Sequence, residues 1–369
     1  MENFKHYFKV ERLKAHYEKY ERYLGGGALL VGFIIDSLTL RRVDLLLENL
    51  LLITYLLIAA ICISMLNLME ARQVKDGLFF KTKLFFILGL QFALGGLFSA
   101  FLVFYSRSAT VAASWPFLLV LIGYLIGSEV FKKHYIRLSF QVSTFFIALF
   151  SFFIFFIPVL LKNLSAWVFL LSGLISLSVI VLFIKLLVKI NSKEVSESKK
   201  ILWLSIGGIY LLINILYFTN IIPPIPLSLA DVGVYHRVTR NEEGKYMVTK
   251  EKRNSLIPFL QSTETVHLAK GNRLFIYSAV FAPTKINASI VHRWQRYDKE
   301  DGEWKTQSRI PLQITGGRDG GYRTYSYKDN MEVGLWRVNI ETNRGQIIGR
   351  KKFKVEFVSN APELITEIK

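Results

Sequence analysis

The sequence predicts a multi-pass α-helical membrane bundle of about seven spans, followed by an all-β, immunoglobulin-like sandwich domain. Two observations predict the bundle: 52% of the residues are hydrophobic, with a mean hydropathy of +0.34, and long apolar runs continue to about residue 225. A third observation predicts the sandwich, because short segments with two-residue alternation then replace these runs. This composition change indicates one domain in lipid and one in water.

Seven segments have the length and composition of membrane spans, since a helix needs about 20 mostly apolar residues to cross a bilayer core. They are Leu24–Leu40, Leu45–Leu66, Leu84–Tyr105, Trp115–Phe131, Leu138–Leu161, Ala166–Val188 and Ile201–Ile222. The first is the weakest, because it is short, begins with three glycines and contains Asp36. If it only dips into the membrane, six spans remain and the topology changes.

Positive charge in the connections predicts the orientation of the spans. With the N-terminus in the cytoplasm, the cytoplasmic connections hold 18 Lys and Arg residues and the outer connections hold four. Short cytoplasmic loops are enriched in positive charge, so this distribution favours an odd number of spans. The C-terminal domain is then expected on the outer face of the inner membrane, in the periplasm.

Four segments follow from this organisation: 1–23, 24–222, 223–230 and 231–369. The first has apolar residues three or four apart and is expected to be a cytoplasmic amphipathic helix, lying on anionic headgroups or fully solvated. The third holds three prolines in four positions, which enforce a stiff, extended exit from the membrane.

The net charge of +18 suggests nucleic acid as a partner. The basic residues lie between apolar runs or are spread along strands, however, so membrane lipids are the expected partners and nucleic acid is not. The single cysteine, Cys62, excludes disulfides within the chain and Cys-rich zinc sites. No metal site and no cofactor are predicted.

The spans carry no set of ionisable residues suited to catalysis or ion coupling. The acidic residues Asp36, Glu48 and Glu129 lie near span ends, and no histidine lies inside a span. A coupled transporter would be expected to place acids at mid-depth or to break paired helices. Gly95 and Gly96 are expected to allow close helix packing. The bundle is therefore interpreted as an anchor.

The C-terminal part alternates apolar and polar residues over short segments. Its predicted strands are Val232–Arg240, Lys245–Lys250, Thr265–Ala269, Arg273–Phe281, Ser289–Tyr297, Trp304–Ile314, Tyr322–Tyr327, Leu335–Thr342 and Gln346–Phe357. The last two flank the turn Asn343–Gly345 and predict a β-hairpin. Short strands of this number, with no long helix, are typical of a sandwich.

Five motifs in this part resemble, in order, the bacterial domain-of-unknown-function family numbered 2914. They are Pro223–Leu229, Ile290–Trp294, Gly316–Thr324, Gly334–Val338 and Gly345–Phe353, and the resemblance covers about residues 230–358. It implies a bacterial, extracytoplasmic β-sandwich, often attached to a membrane segment. It brings no established activity and no catalytic residues.

Candidate binding residues lie on three of the predicted strands and turns. His292 and Trp294 share one strand face and are either core residues or a ligand site. The glycine-rich Gly316–Gly321 could cradle an anion, although a tight strand connection is favoured. The remaining candidates form either an aromatic, basic glycan platform or strand-surface packing: Arg318, Tyr322, Arg323, Tyr325 and Tyr327.

The predicted function is a non-enzymatic inner-membrane protein whose β-sandwich binds an envelope protein or a polysaccharide. The alternative is a small-molecule or lipid transporter, or export component, with an outer accessory domain. A sensor is a third possibility, but the sequence shows no cytoplasmic signalling domain. Exposed aromatic side chains around Tyr322–Tyr327 or His292 would favour binding, and buried ones would remove that idea.

Overall fold

The structure is a computed structural model of the 369-residue chain. It describes residues 34, 36, 38, 40, 45–72, 77–108, 137–222, 227–252, 263–283, 287–317, 320–360 and 362–369. The chain forms two compact units. The first contains the helices to Ile215, and the second consists mainly of Leu216–Lys369.

Five helices in the described part are long and apolar enough to cross a membrane, which indicates membrane association. They are α1 (Leu46–Arg72), α2 (Gly77–Ser108), α3 (Leu138–Leu161), α4 (Ala166–Ile190) and α5 (Ser192–Phe218). Helix α5 begins nine residues before the predicted span. Asn191 caps it, because its Oδ1 accepts a hydrogen bond of 3.3 Å from the backbone N–H of Glu194. The basic segment before the predicted span is therefore helical.

The structure supports five of the seven predicted spans, not seven. The predicted span Trp115–Phe131 lies outside the described residues, as do the segment 1–23 and most of Leu24–Leu40. Within that first predicted span, Ile34, Asp36 and Leu38 are helical.

Two glycines of α2 give α1 room to pack closely. A Cβ atom at Gly96 would lie 2.8 Å from the Tyr55 ring, and one at Gly89 would lie 3.1 Å from the Cys62 sulfur. The contacts are seven residues apart on both helices and run in opposite order, so α1 and α2 are antiparallel and touch at points two turns apart. Close packing at Gly96, as predicted, is confirmed.

The C-terminal region is all-β and contains eleven strands among the described residues. They are β1 (Ser228–Tyr235), β2 (Arg237–Arg240), β3 (Tyr246–Glu251), β4 (Glu264–Leu268), β5 (Leu274–Phe281), β6 (Asn287–Asp298), β7 (Glu303–Thr315), β8 (Tyr322–Lys328), β9 (Gly334–Thr342), β10 (Ile347–Phe357) and β11 (Leu364–Ile368).

The strands form three sheets. The central sheet has the order β1–β5–β8, the large sheet β4–β10–β9–β6–β7, and the small sheet β11–β3–β2. All pairings are antiparallel except that of β4 with β10.

The central sheet lies between the other two, because β5 is buried on both faces. Alternate side chains of a strand point to opposite faces. Leu274 and Ile276 enter a core shared with Trp294 of the large sheet. Phe275 and Tyr277 enter a second core, which they share with residues of the small sheet. The region therefore has three layers, where the sequence predicted a two-layered sandwich.

The predicted hairpin is confirmed, with β9 and β10 antiparallel and Val338 opposite Lys351. Two other predictions differ from the structure. The segment Val232–Arg240 forms two strands that separate at His236, and β1 begins at Ser228, inside the predicted linker 223–230. Strand β11 was not predicted, because it is short and alternately exposed.

A bulkier residue at Gly96 is expected to weaken the contact between α1 and α2. Gly96→Val places methyl groups against the Tyr55 ring, and overpacking of this kind costs about 1–3 kcal/mol. The unfolding temperature of the detergent-solubilised protein is the measurement. Gly207→Val in α5 is the control, because nothing lies within 4 Å of a Cβ atom there. Equal losses in the two variants would contradict the packing role of Gly96.

Candidate functional site

His292 and Trp294, two of the predicted binding residues, are fully buried on β6. Nε2 of His292 lies 2.9 Å from the Ser278 hydroxyl, and Nδ1 lies 2.8 Å from the Ser326 hydroxyl. The indole N–H of Trp294 also donates to Ser326, at 3.0 Å. Because both serines belong to the central sheet, this network joins it to the large sheet.

The His292 imidazole is neutral in the folded protein. Burial lowers its pKa to about 3, because the charged form loses its hydration. Each serine hydroxyl can donate or accept, so the neutral ring satisfies both of its nitrogens. His292 and Trp294 are therefore core residues, and neither side chain can contact an external ligand.

The predicted tyrosines divide between the two faces of the central sheet. Tyr322 packs against the core shared with the large sheet. Tyr325 and Tyr327 point to the opposite face of the sheet. They lie opposite Tyr277 and Phe275 of the neighbouring strand β5. The Phe275 ring lies 6.0 Å from the Tyr325 ring and 5.6 Å from the Tyr327 ring.

Tyr325 and Tyr327 form an exposed aromatic surface, which we call the tyrosine face. Their exposed fractions are 36% and 46%, whereas Phe275 and Tyr277 next to them are buried. Tyr246 of the small sheet packs edge-on against Tyr325 at 6.1 Å and against Tyr277 at 5.6 Å. The exposed rings thus rest on a fixed layer of buried rings.

Two arginines border the tyrosine face. The guanidinium of Arg273 lies 4.9 Å from the centre of the Tyr327 ring, and its Nε pairs with Asp329 at 3.0 Å. Arg323 donates from Nη1 to the carbonyl oxygen of Lys369, at 3.1 Å. Arg273 was not among the predicted site residues. Its place at the start of a predicted strand was the available signal, but the pairing that brings it to Tyr327 is not visible in sequence.

The described glycines of the predicted anion cradle, Gly316–Gly321, lie against β5 and the residues just after it. The N–H of Gly317 donates to the carbonyl oxygen of Ala282 at 3.1 Å. Gly321 has a positive φ of 79°, and a Cβ atom there would lie 3.0 Å from the β5 backbone. These glycines serve a close approach to β5. Arg318, another predicted site residue, lies outside the described residues.

A second polar cluster, centred on Glu251, was missed in the sequence. The Glu251 carboxylate accepts from the backbone N–H of His267 at 2.6 Å, and lies 2.9 Å from His267 Nδ1 and 3.1 Å from His236 Nε2. Burial raises the Glu251 pKa, but these hydrogen bonds outweigh it and hold the pKa below its ordinary value. The three residues are far apart in sequence and carry no local motif.

The candidate surface offers stacking and hydrogen bonding. Aromatic rings present a flat apolar face, and tyrosine hydroxyls and arginine N–H groups at the rim can hydrogen-bond. Among the described residues, no group of three His, Cys, Asp or Glu side chains could hold a metal ion. The arrangement therefore suits recognition of a ligand with flat apolar faces and polar edges.

Residues 287–355 match the model of a family described as "Protein of unknown function (DUF2914)". The match lies inside the region of resemblance deduced from the sequence motifs and confirms it for the C-terminal domain. A comparison with curated proteins gives no match.

Solved structures similar to the chain have low identity. An immunoglobulin-like protein from Pseudomonas aeruginosa is 13% identical over 34% of this chain and 97% of its own, with a TM-score of 0.19. A β-glucosidase from Listeria innocua in complex with gluconolactone is 12% identical over 31% and 16%, with a TM-score of 0.19. An alkylpurine DNA glycosylase from Pseudomonas fluorescens, bound to DNA containing an abasic site analogue, is 11% identical over 75% and 72%, with a TM-score of 0.20. Likenesses this weak carry no functional inference.

The buried imidazole is expected to make stability depend on pH. The ordinary histidine pKa of 6.5 applies to the unfolded chain, and the folded value is about 3. The unfolded state therefore binds a proton first, and stability falls by up to about 1.4 kcal/mol per unit as pH drops below 6.5. The measurement is the free energy of unfolding of the full chain in detergent at several pH values, monitored through the hydrogen exchange of backbone amides in β6.

His292→Gln removes this titrating group, so the slope between pH 6.5 and 5 is expected to be smaller in the variant. All other side chains are the same in the two proteins, and the difference in slope therefore belongs to His292. Equal slopes would contradict a neutral, buried imidazole.

Proposed function

We propose that this protein is a non-enzymatic inner-membrane protein that displays its β domain in the periplasm to bind an envelope polysaccharide or an envelope protein, with a polysaccharide as the favoured partner. One observation carries the proposal. Tyr325 and Tyr327 are exposed side by side above a layer of buried rings, with Arg273 against the edge of the patch.

Rigid tyrosines suit recognition of sugars. A tyrosine side chain has two rotatable bonds, so it loses little conformational entropy when a ligand covers it. Contacts with Phe275 and Tyr246 restrict the rings further before any ligand binds, which lowers the ordering cost of association. A sugar ring has an apolar face that can stack on tyrosine, and hydroxyl groups that Arg273 can bind.

The charges of the helices support an anchoring role over the transport alternative. In the five described helices, charged residues lie in the first nine or last six positions, and α3 contains none. Intramembrane ionisable residues usually mark ion or substrate pathways. We therefore favour a bundle that holds the β domain at the outer surface.

The two facing sheets support assignment of the domain to the immunoglobulin-like type. The central and large sheets are largely antiparallel and share a core that contains Trp294, Trp336 and Phe353. In this assignment, the small sheet is an addition to the sandwich.

Loss of the exposed rings is expected to weaken polysaccharide binding. The double variant Tyr325→Ala/Tyr327→Ala should bind envelope polysaccharide about tenfold more weakly, since loss of stacking of about 1.4 kcal/mol corresponds to that factor. The measurement is retention of the full chain, in neutral detergent, on immobilised polysaccharide from the bacterial envelope. About 0.5 M salt reduces the Debye length to about 4 Å and suppresses long-range charge attraction.

Phe357→Ala is the matched control, because Phe357 is an exposed aromatic residue (38%) at the end of β10 in another sheet. It should bind as the unaltered protein does. Binding that is unchanged in the double variant would contradict the role of the tyrosine face.

The proposed orientation is expected to show in cysteine labelling. Cys62→Ala removes the only natural thiol. In that background, Lys299→Cys in the exposed turn between β6 and β7 should react with a membrane-impermeant maleimide in spheroplasts. Lys193→Cys, exposed at the start of α5, should react only after permeabilisation. The reverse pattern would overturn the assigned orientation.

A further inference from the structure

The outer face of the large sheet carries four arginines in adjacent positions, which we call the arginine face. Arg309 of β7 pairs with Arg293 of β6, which pairs with Asn339 of β9, which pairs with Arg350 of β10. Arg337 lies two residues before Asn339 on the same face. Strands are about 4.8 Å apart, so this row is about 14 Å long.

Buried amides hold two of these arginines in place. The Gln295 side-chain oxygen accepts from Nε of Arg337 at 2.8 Å, and the Asn339 side-chain oxygen accepts from Nε of Arg350 at 2.7 Å. Asn339 also donates to Gln295 at 3.2 Å, and both amides are buried. The amides thus fix the direction of both guanidinium groups.

The η nitrogens of Arg337 and Arg350 make no hydrogen bond or ion pair with the described part of the chain. Both side chains are partly exposed. Each guanidinium therefore offers its outer N–H groups to solvent, in a fork that matches a carboxylate or a phosphate.

Among the described residues, one carboxylate forms ion pairs on the arginine face, and its partners are Arg293 and Arg309. Glu341 is fully buried, and its oxygens lie 2.8 Å from Nη2 of Arg293 and 3.5 Å from Nη2 of Arg309. These are ion pairs by distance, although their geometry is not that of aligned hydrogen bonds. Glu341 thereby offsets the repulsion between the directly opposed Arg293 and Arg309.

In the part of the chain that the structure describes, no anion pairs with Arg337 or Arg350. Burial, together with the charges of Arg350 and Arg293, lowers the pKa of Arg337 to about 10. Burial and the charge of Arg293 also lower the pKa of Arg350, against the opposing effect of Glu341. An external anion would relieve this repulsion.

We propose that the arginine face binds a polysaccharide whose sugars carry carboxylate or phosphate groups. Charge complementarity identifies an anion, and the row across four strands fits an extended chain more closely than a small ion. The Trp304 ring, 4.3 Å from the Arg337 guanidinium, adds an apolar surface for a sugar. The site lies on another sheet from the tyrosine face, so the inference goes beyond the function proposed above.

Binding of polygalacturonate, a carboxylated polysaccharide, tests the proposal. The full chain in nanodiscs of zwitterionic phosphatidylcholine, which carries no net charge, should bind this polymer more tightly than uncharged dextran, and added salt should weaken the binding. Arg337→Gln/Arg350→Gln should weaken it at least tenfold, since charge-assisted hydrogen bonds to both side chains are lost.

Arg240→Gln, which removes an exposed arginine from the small sheet, is the matched control and should leave binding unchanged. Without polymer, the double variant should stay folded, because the loss of repulsion offsets the two hydrogen bonds that Gln295 and Asn339 accept from the arginines, and Glu341 keeps its partners. Polymer should raise the unfolding temperature of the unaltered protein alone. Equal polymer binding by the double variant would overturn the proposal.

Two further measurements test whether the ligand of the arginine face is a polysaccharide. Equally tight, arginine-dependent binding of polyglutamate would overturn the polysaccharide in favour of an acidic protein. Arginine-dependent binding to anionic phosphatidylglycerol vesicles, without binding to polygalacturonate, would overturn it in favour of a lipid surface. Tyr325→Ala/Tyr327→Ala should keep polygalacturonate binding at low salt, so failure of the tyrosine face and failure of the arginine face give different results.

Discussion

The burial of β5 on both faces is the constraint on which the β domain depends. A strand covered on one side alternates apolar and polar residues, but seven consecutive residues of β5 are buried. One set of side chains, which includes Ile276, fills the core with the large sheet, and the other set, which includes Tyr277, needs a second cover. The small sheet supplies that cover.

The tyrosine face is a consequence of this arrangement. The rings of Phe275 and Tyr277 continue across β8 as Tyr327 and Tyr325, because these residues pair directly. Tyr246 of the small sheet contacts Tyr325, yet Tyr325 and Tyr327 remain more exposed than their neighbours on β5. The same aromatic layer that stabilises the packing of two sheets therefore presents its outermost rings to solvent.

The alternation of apolar and polar residues predicted the positions of most strands, but it could not predict how the sheets are layered. The hairpin of β9 and β10 was clear because one face of each strand is apolar and a glycine turn joins them. The run Leu274–Phe281 lacks alternation, which is typical of a strand buried on both sides and was the available signal for a third layer. Strand β11 gave little signal, because its residues are alternately exposed and half-buried at a sheet edge.

The candidate site was predicted in part. Alternation along a strand shows which residues share a face, but it does not show which strands lie side by side. In β8, Tyr325 and Tyr327 share a face and Tyr322 lies on the other, as alternation alone requires. The sequence left His292 as either a core residue or a ligand residue, because its hydrogen-bond partners Ser278 and Ser326 lie on other strands. The arginine face was missed for the same reason.

The arginine face lowers the folding stability of the domain more than a surface that serves only solubility would. Directly opposed like charges destabilise a sheet. A buried carboxylate such as Glu341 also loses its hydration, and ion pairs offset that loss only when their geometry is good. Lysines, with flexible and strongly hydrated ammonium groups, would keep the surface soluble without these costs. Gln295 and Asn339 instead hold Arg337 and Arg350 in fixed directions. Fixed guanidinium groups that pair with no anion in the described part of the chain gain most from a ligand that brings its own negative charges at matching positions, which is why we propose that this face recognises an anionic chain.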